Sequence, residues 1–535
     1  MSAIANRLRR IKPKAIVPTY YVDATNGSDT NNGLTPATAL KSMETINAAT
    51  LSPGDVVAFK RGETWRTPLL PSSSGTAANP ITFTAYGEGQ KPVISGAGIF
   101  PAGSWTNLYG DIWATTLASI PEFVRFNGVD GTRVTLPAMP ESAGDWVLDE
   151  NDGTFAVYSV GNPATFFASP GVEISYWYIL IDANEQSHLV FDNLAVTDSK
   201  GVAAIYVDGA STNIKVENCL VVNNVGSGIK LDGNTGGGHL IKSCEVYNSG
   251  TFGIELYHCD TTAGNENVVR LCNSYSNVKD GIYSESNYTI IEHNRTHGNG
   301  KTGEAVSGIR VLDLIDGNGT WGDYNIIRYN TSYDNQGLHT DGHGILLDHY
   351  SDHCEIYYNV CYNNWGMGVG VFKAKNANVY NNVAYGNGQC PNNGGPLIKA
   401  DIGLVDDDEV DRIENVNVKN NISIATKTGQ YAVMISGPIG DNVGIDISNN
   451  IWLSTTGDFY NAQGATGNNV ATWNALPYVG TDILADPLFV DALNRDFQLQ
   501  DGSPAINTGA SVGLKLDHAG RVVADPPDIG AYEKL

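Results

Sequence analysis

The chain has 535 residues, 41% hydrophobic and only 17% charged, and 60 of them are glycine. That glycine load means many turns and argues against a helical bundle. A formal net charge of −25 makes nucleic acid and anionic membranes poor partners, and no apolar run is long enough to span a bilayer.

Residues 1–17 read as a basic, disordered leader with no apolar run of the length a secretory signal needs. Residues 18–105 read as an N-terminal cap and first coils. Strand-like YYVDA (20–24) precedes a polar loop, then a helical stretch near 39–50, then the strands DVVAFKRG (55–62), ITFTAYG (81–87) and KPVISGAG (91–98). Residues 106–184 are less regular and aromatic, and read as an insertion on the early coils.

From 185 to 460 a repeat takes over. Each unit is an apolar strand ending near Asn, a short turn, then a Gly followed by alternating residues, as in IKVENCLVVNNVGSGIKLDG (214–233) and CEIYYNVCYNNWGMGVGVFK (354–373). The marker glycines Gly228, Gly253, Gly281, Gly308, Gly344 and Gly368 are separated by 25, 28, 27, 36 and 24 residues. A period in this range with strand-type alternation marks a solenoid. Asn218, Asn294, Asn330, Asn359 and Asn381 suit turns, as residues that tolerate left-handed backbone and stack in hydrogen-bonded ladders. The seven cysteines contain no CxxC pair, and Cys219 and Cys244 hold matching places in successive repeats. They predict a stacked interior thiol ladder rather than disulfides or a metal cluster. Residues 461–535 break the period and read as terminal coils and a cap, which a solenoid end requires.

Alternation assigns faces. The first and third residues after each marker glycine point inward (Ile254 and Leu256, Ile309 and Val311, Ile345 and Leu347). The second and fourth point outward. One external face then carries Glu255, Tyr257, His258, Tyr283, Glu285, Arg310, Asp313, Asp348, His349 and Lys373. The long interval from Gly308 to Gly344 brings loops with Trp321 and the motif TDGHG (340–344, holding Asp341 and His343) beside it; Trp365 adds a further ring. VDDDEVDR (405–412) is a second acidic cluster, read as a solvated loop or a structural calcium site.

The chain resembles the secreted right-handed parallel β-helix superfamily of pectate lyases, alginate lyases and polygalacturonases, with phage depolymerases as relatives. YYVDATNGSDTNNGLTPATALKS near the front and SPAIN with PDIGAYE near the end are similar to the flanks of bacterial members. The resemblance implies an all-β, single-stranded right-handed parallel β-helix with an N-terminal cap and an irregular C-terminal cap. It also implies an extracellular or virion-surface enzyme acting on a polysaccharide, a monomer unless it is a trimeric tailspike. GVFKAK (370–375) resembles the strand that bears the lysine base of one pectate lyase family, in which aspartates on preceding coils bind calcium. That carry-over makes Asp313, Asp341 and Asp348 the expected Ca²⁺ ligands. Calcium would also bridge an acidic protein to an acidic glycan. The favoured reaction is β-elimination on a uronate glycan, with Arg310, Lys373 and His343 neutralising the carboxylate and removing the adjacent proton. The alternatives are a hydrolase using paired carboxylates among Glu285, Asp313 and Asp348, and a non-catalytic glycan-binding adhesion protein. Glu255, Tyr257, His258, Tyr283, His349, Trp321 and Trp365 are the expected substrate contacts.

Overall fold

The computed structural model describes residues 17–233, 236–259, 261–301, 306–313, 321–337, 341–391, 399–406, 413–437 and 444–534. Three long sheets wind around one axis. The first stacks 13 strands, from Tyr20–Val22 to Asp446–Ser448. The second stacks 13, from Thr64–Trp65 to Ile483–Leu484, and the third 12, from Ile181–Asp182 to Ala465–Gly467. Neighbouring coils pair in parallel on every sheet, which is the parallel β-helix predicted from the repeat.

Alternation sets the interior as expected. Ile229, Ile254, Ile282, Ile309, Ile345 and Val369 are successive partners on the third sheet. All are 0% exposed, and each burial contributes about 1.5–3 kcal/mol. The marker glycines exist for want of space. A Cβ on Gly281 would lie 2.7 Å from both Asn299 Nδ2 and the Gly308 carbonyl oxygen.

Those amides belong to two buried ladders. At the corner between the first and second sheets, Nδ2 of Asn294, Asn330, Asn359, Asn382 and Asn421 each donates to Oδ1 of the next member, at 3.0–3.1 Å. Asn450 then donates to Asp482 at 3.1 Å. Cys219, Cys244 and Cys272 fill the same place on earlier coils, and the Cys272 N–H donates to Asn294 Oδ1. All seven cysteines are free and buried, so the predicted thiol ladder is present and runs into the amide ladder. The second ladder, between the second and third sheets, runs from Asn277 through Asn299, Asn335, Asn364 and Asn387 to Asp401. One expectation divides. Asn218 and Asn381 are left-handed, but at Asn294, Asn330 and Asn359 the left-handed residue is the one before, His293, Tyr329 or Tyr358. The ladder position itself is not left-handed, which leaves its amide aimed along the axis.

Both ends are covered. The helix Met43–Ala48, capped by the Ser42 side chain, turns Met43 and Ile46 into the first coils. At the far end the helix Val470–Trp473 places Trp473 against Trp452. The C-terminal segment does something different from an end cap. Phe489, Phe497 and Ile529 pack on Val360, Val383 and Ile422, along the outside of the second sheet. The irregular stretch is a separate body. Two small sheets formed between Ala97 and Ser175 enclose their own core around Phe155, Trp146 and Phe126. It begins earlier and ends earlier than 106–184, and coils flank it on both sides, since Ile81–Tyr86 pairs directly with Leu189–Asp192.

Candidate functional site

The outward residues of the third sheet stand in files. One file runs Lys230, Glu255, Tyr283, Arg310, Leu346 and Gly370. Tyr257 and Glu285 are partners in the next file, which continues through Leu312 and Asp348 to Phe372. The orientation matches the prediction, but the face is not wet. Glu255, Tyr283, Glu285, Arg310 and Asp348 are each less than a tenth exposed, because the side chains pair laterally.

Arg310 is the centre of that pairing. Its guanidinium lies 2.8 Å from Asp280 and 3.7 Å from Asp348, under the ring of Tyr283 at 5.2 Å. It was expected to neutralise a substrate carboxylate. It is instead enclosed between two carboxylates of its own chain, with 8% of its side chain exposed. Asp280, which also accepts the Ser307 N–H, was not anticipated. The available signal was an acid immediately before a marker glycine. Removing only the cation leaves buried charge uncompensated, which costs about 3 kcal/mol or more. Arg310→Met is therefore expected to lower the denaturation midpoint sharply at neutral pH, read by circular dichroism. The loss shrinks in mild acid, where Asp280 takes up a proton.

Glu285 is also spoken for. It accepts the Tyr283 hydroxyl at 2.7 Å and faces His258 Nε2 at 3.3 Å. His258 is stacked between Tyr257 and Trp321, at 3.8 and 4.8 Å. Glu255 pairs with Lys230 at 3.0 Å. His343 is a poor base for a structural reason. Its Nδ1 accepts the Met367 N–H at 2.9 Å, so Nε2 carries the hydrogen, 3.8 Å from Asp341. Burial pulls its pKa down, which leaves a neutral ring with no free lone pair. Trp365 lies at the corner between the second and third sheets, two residues before Met367.

The expected calcium trio does not assemble. Among the described residues no three acidic, thiol or imidazole groups gather to hold a metal ion. Asp348 is bound to His349 and Arg310, Asp341 faces His343, and Asp313, 0% exposed, takes the Trp321 N–H at 3.4 Å. Of the acidic run 405–412, residues 407–412 lie outside the described residues, as do residues 1–16 of the basic leader.

One pair is arranged for proton transfer. Asp348 Oδ1 accepts from the His349 backbone N–H at 2.9 Å and from Nδ1 at 2.8 Å. The His349 hydrogen bond and the Arg310 charge outweigh burial and hold Asp348 below the usual carboxylate range. An ionised Asp348 fixes the tautomer with hydrogen on Nδ1, so the Nε2 lone pair is left for a substrate. His349, with 34% of its side chain exposed, meets the edge of Phe372 at 4.8 Å. Tyr350 donates its N–H to the carbonyl of Lys373 on the next coil. Sequence reasoning gave His349 only a binding role.

Several carboxyls are pushed the other way by burial: Asp280 up to about 6, and Asp323 and Glu533 up to about 7. Near Asp323, Asp352 and Asp313 add repulsion; near Glu533, Asp528 does. A folded pKa above the unfolded value means that the folded state binds the proton more tightly. Stability then falls as pH rises from about 4 to about 7. Melting temperature is expected to decline across that window, and Glu533→Gln to flatten part of the slope.

A sequence model described as the right handed beta helix region matches residues 170–313 and 234–451, together more than half of the chain. No curated protein sequence matches. A solved structure of XylC with xylose is similar over 96% of this chain and 98% of that one, at 14% identity and a TM-score of 0.59. The A-modules of the Azotobacter vinelandii mannuronan C-5 epimerases AlgE6 and AlgE4 are similar at 15% identity. They cover 83% and 81% of this chain and 95% and 91% of their own, with TM-scores of 0.49 and 0.48.

Proposed function

The chain belongs to the right-handed β-helix family, and from that scaffold we propose that it is a polysaccharide-active enzyme working by proton abstraction on the outer face of its third sheet. The observation that carries this is the 2.8 Å contact between Asp348 and His349 Nδ1. The favoured reaction is β-elimination on a uronate glycan. His349 Nε2 takes the proton from the carbon beside the substrate carboxylate. The electron pair left behind forms the carbon–carbon double bond, and the glycosidic oxygen leaves, taking a proton from water. Lys373, expected to serve as base or to offset the substrate carboxylate, is only 6% exposed on the neighbouring coil and has no part in this step. Arg310 acts through Asp348, as a positioning residue. Abstraction by a positioned side chain contributes roughly 10²–10⁴-fold to rate.

The test is a panel of acidic and neutral polysaccharides, followed by ultraviolet absorbance of an unsaturated product and by reducing ends together, with and without chelator. The two signals rising in step support elimination. Reducing ends without absorbance overturn it and favour hydrolysis by Glu285 and Asp348, which stand in one file two coils apart. Tight binding without any product leaves an adhesion protein. Loss of activity with chelator returns a role to calcium, held by ligands other than the expected trio.

A further inference from the structure

The insertion meets the solenoid across a cleft of about 730 Å³, far along the chain from the third-sheet site. Two ion pairs cross it in opposite senses. Arg66 of the solenoid holds Glu173 of the insertion at 2.7 Å, and Arg125 of the insertion holds Asp198 of the solenoid at 2.7 Å. The pairs lock the two bodies together, with the two acids nearly buried and the guanidiniums partly open. Thr64, Thr197 and Asn223 add hydroxyl and amide groups to the wall. Arg66 also lines a second hollow of about 400 Å³, whose wall is Ile99, Phe100, Tyr176 and Trp177. Trp177 is fixed there by its indole N–H, which donates to the Arg66 carbonyl, while Tyr176 is 57% exposed.

We infer that this double cleft is a second binding site, for a neutral oligosaccharide chain. Each of its two hollows falls within the range of about 300–1,000 Å³ typical of small-ligand sites. Carboxylates and guanidiniums that are already paired still present acceptors and donors to vicinal hydroxyls, and aromatic faces beside them suit the apolar face of a sugar ring. Two arginines against Asp130, Glu173 and Asp198 give the wall no excess of positive charge, so a polyuronate gains nothing by entering. The cleft would tether a neutral stretch or branch of a glycan on the insertion side while a uronate-bearing stretch of the same chain meets the third sheet. This rests on the reading that the substrate is a glycan, and it goes beyond that reading in adding an anchoring site.

The experiment titrates the full chain calorimetrically with neutral hexasaccharides of xylose, glucose, mannose and galactose, and with an oligogalacturonate. At least one neutral hexasaccharide should bind, about tenfold more weakly in Tyr176→Ala and in Val129→Trp. Val129 is 69% exposed at the cleft, so a large side chain there fills the space without breaking a bond, and an unchanged melting temperature checks that the variant folds. His349→Ala should bind as the parent does. No binding by any neutral hexasaccharide, binding only of the oligogalacturonate, or undiminished binding in Val129→Trp overturns the inference. Cleavage that persists in those cases leaves the enzymatic reading standing. Cleft binding with no product from any polysaccharide overturns that reading alone.

Discussion

His349→Ala is expected to lower turnover by about 10²–10⁴-fold, the contribution of a positioned general base, with little change in melting temperature. The imidazole is partly exposed and lies on the surface of the third sheet, so its loss opens no interior cavity. Asp348→Asn separates orientation from mere presence. The amide keeps the shape, but it can offer its NH₂ to Nδ1, which favours the tautomer with hydrogen on Nε2 and removes the lone pair from the substrate side. Turnover should therefore fall in Asp348→Asn with KM little moved, and its pH profile should shift. A His349→Ala protein that cleaves at the parent rate would sink the proposal whatever the substrate proves to be.

The largest loss of stability is expected at a residue that touches no substrate. Asn359 Oδ1 accepts from Asn330 N and Nδ2 at 2.9 and 3.0 Å, and its Nδ2 donates to Asn382 Oδ1 and to the carbonyls of Ile327 and Tyr357. In Asn359→Leu two buried N–H groups of Asn330 and the Ile327 carbonyl lose a partner each. At about 1–3 kcal/mol for each unsatisfied group, the change costs on the order of 5 kcal/mol, read as a shift of the urea midpoint. An Asn359→Asp protein tests the donor side alone. It keeps Oδ1 but removes the donations to Asn382 and the two carbonyls, and it should be destabilised more as pH rises. A midpoint unmoved in Asn359→Leu would mean that the ladder contributes nothing.

Much of this architecture was legible because strand alternation is local. Ile254 and Leu256 could be placed inside, and Glu255 and Tyr257 outside, from two or three neighbouring letters. The marker glycines were legible as a period, although their cause, amides such as Asn299 Nδ2 crowding Gly281, was not. What stayed hidden depends on contacts between coils. Arg310 and Asp280 are 30 residues apart, and no pattern within one repeat announces that they meet, so a face that reads as charged and wet is in fact paired and closed. The sequence points to His343, in TDGHG, as a base and gives His349 only a binding role. Only the Met367 N–H on one ring and the Asp348 carboxylate on the other tell the spent imidazole from the available one. The C-terminal segment was recognised as a cap, but its place along the second sheet follows from apolar residues such as Val360 and Ile422, whose outward exposure requires a cover.

The amide ladder between the first and second sheets ends on an acid, Asp482, which bears on how such a chain could change in length. Each asparagine receives from the coil before it and gives to the coil after it, so any internal rung can be copied and set between two others without leaving a hydrogen bond unmade. The final rung has no successor to give to, and a carboxylate, with nothing to donate, is a stable terminus. Asp482 receives Asn450 on one oxygen and the indoles of Trp452 and Trp473 on the other. The molecule thus reads like a sentence with an extensible middle and a full stop. Duplication of whole coils upstream of the acid lengthens it at small cost, whereas an asparagine in place of Asp482 would set an amide NH₂ against the indole N–H groups of Trp452 and Trp473.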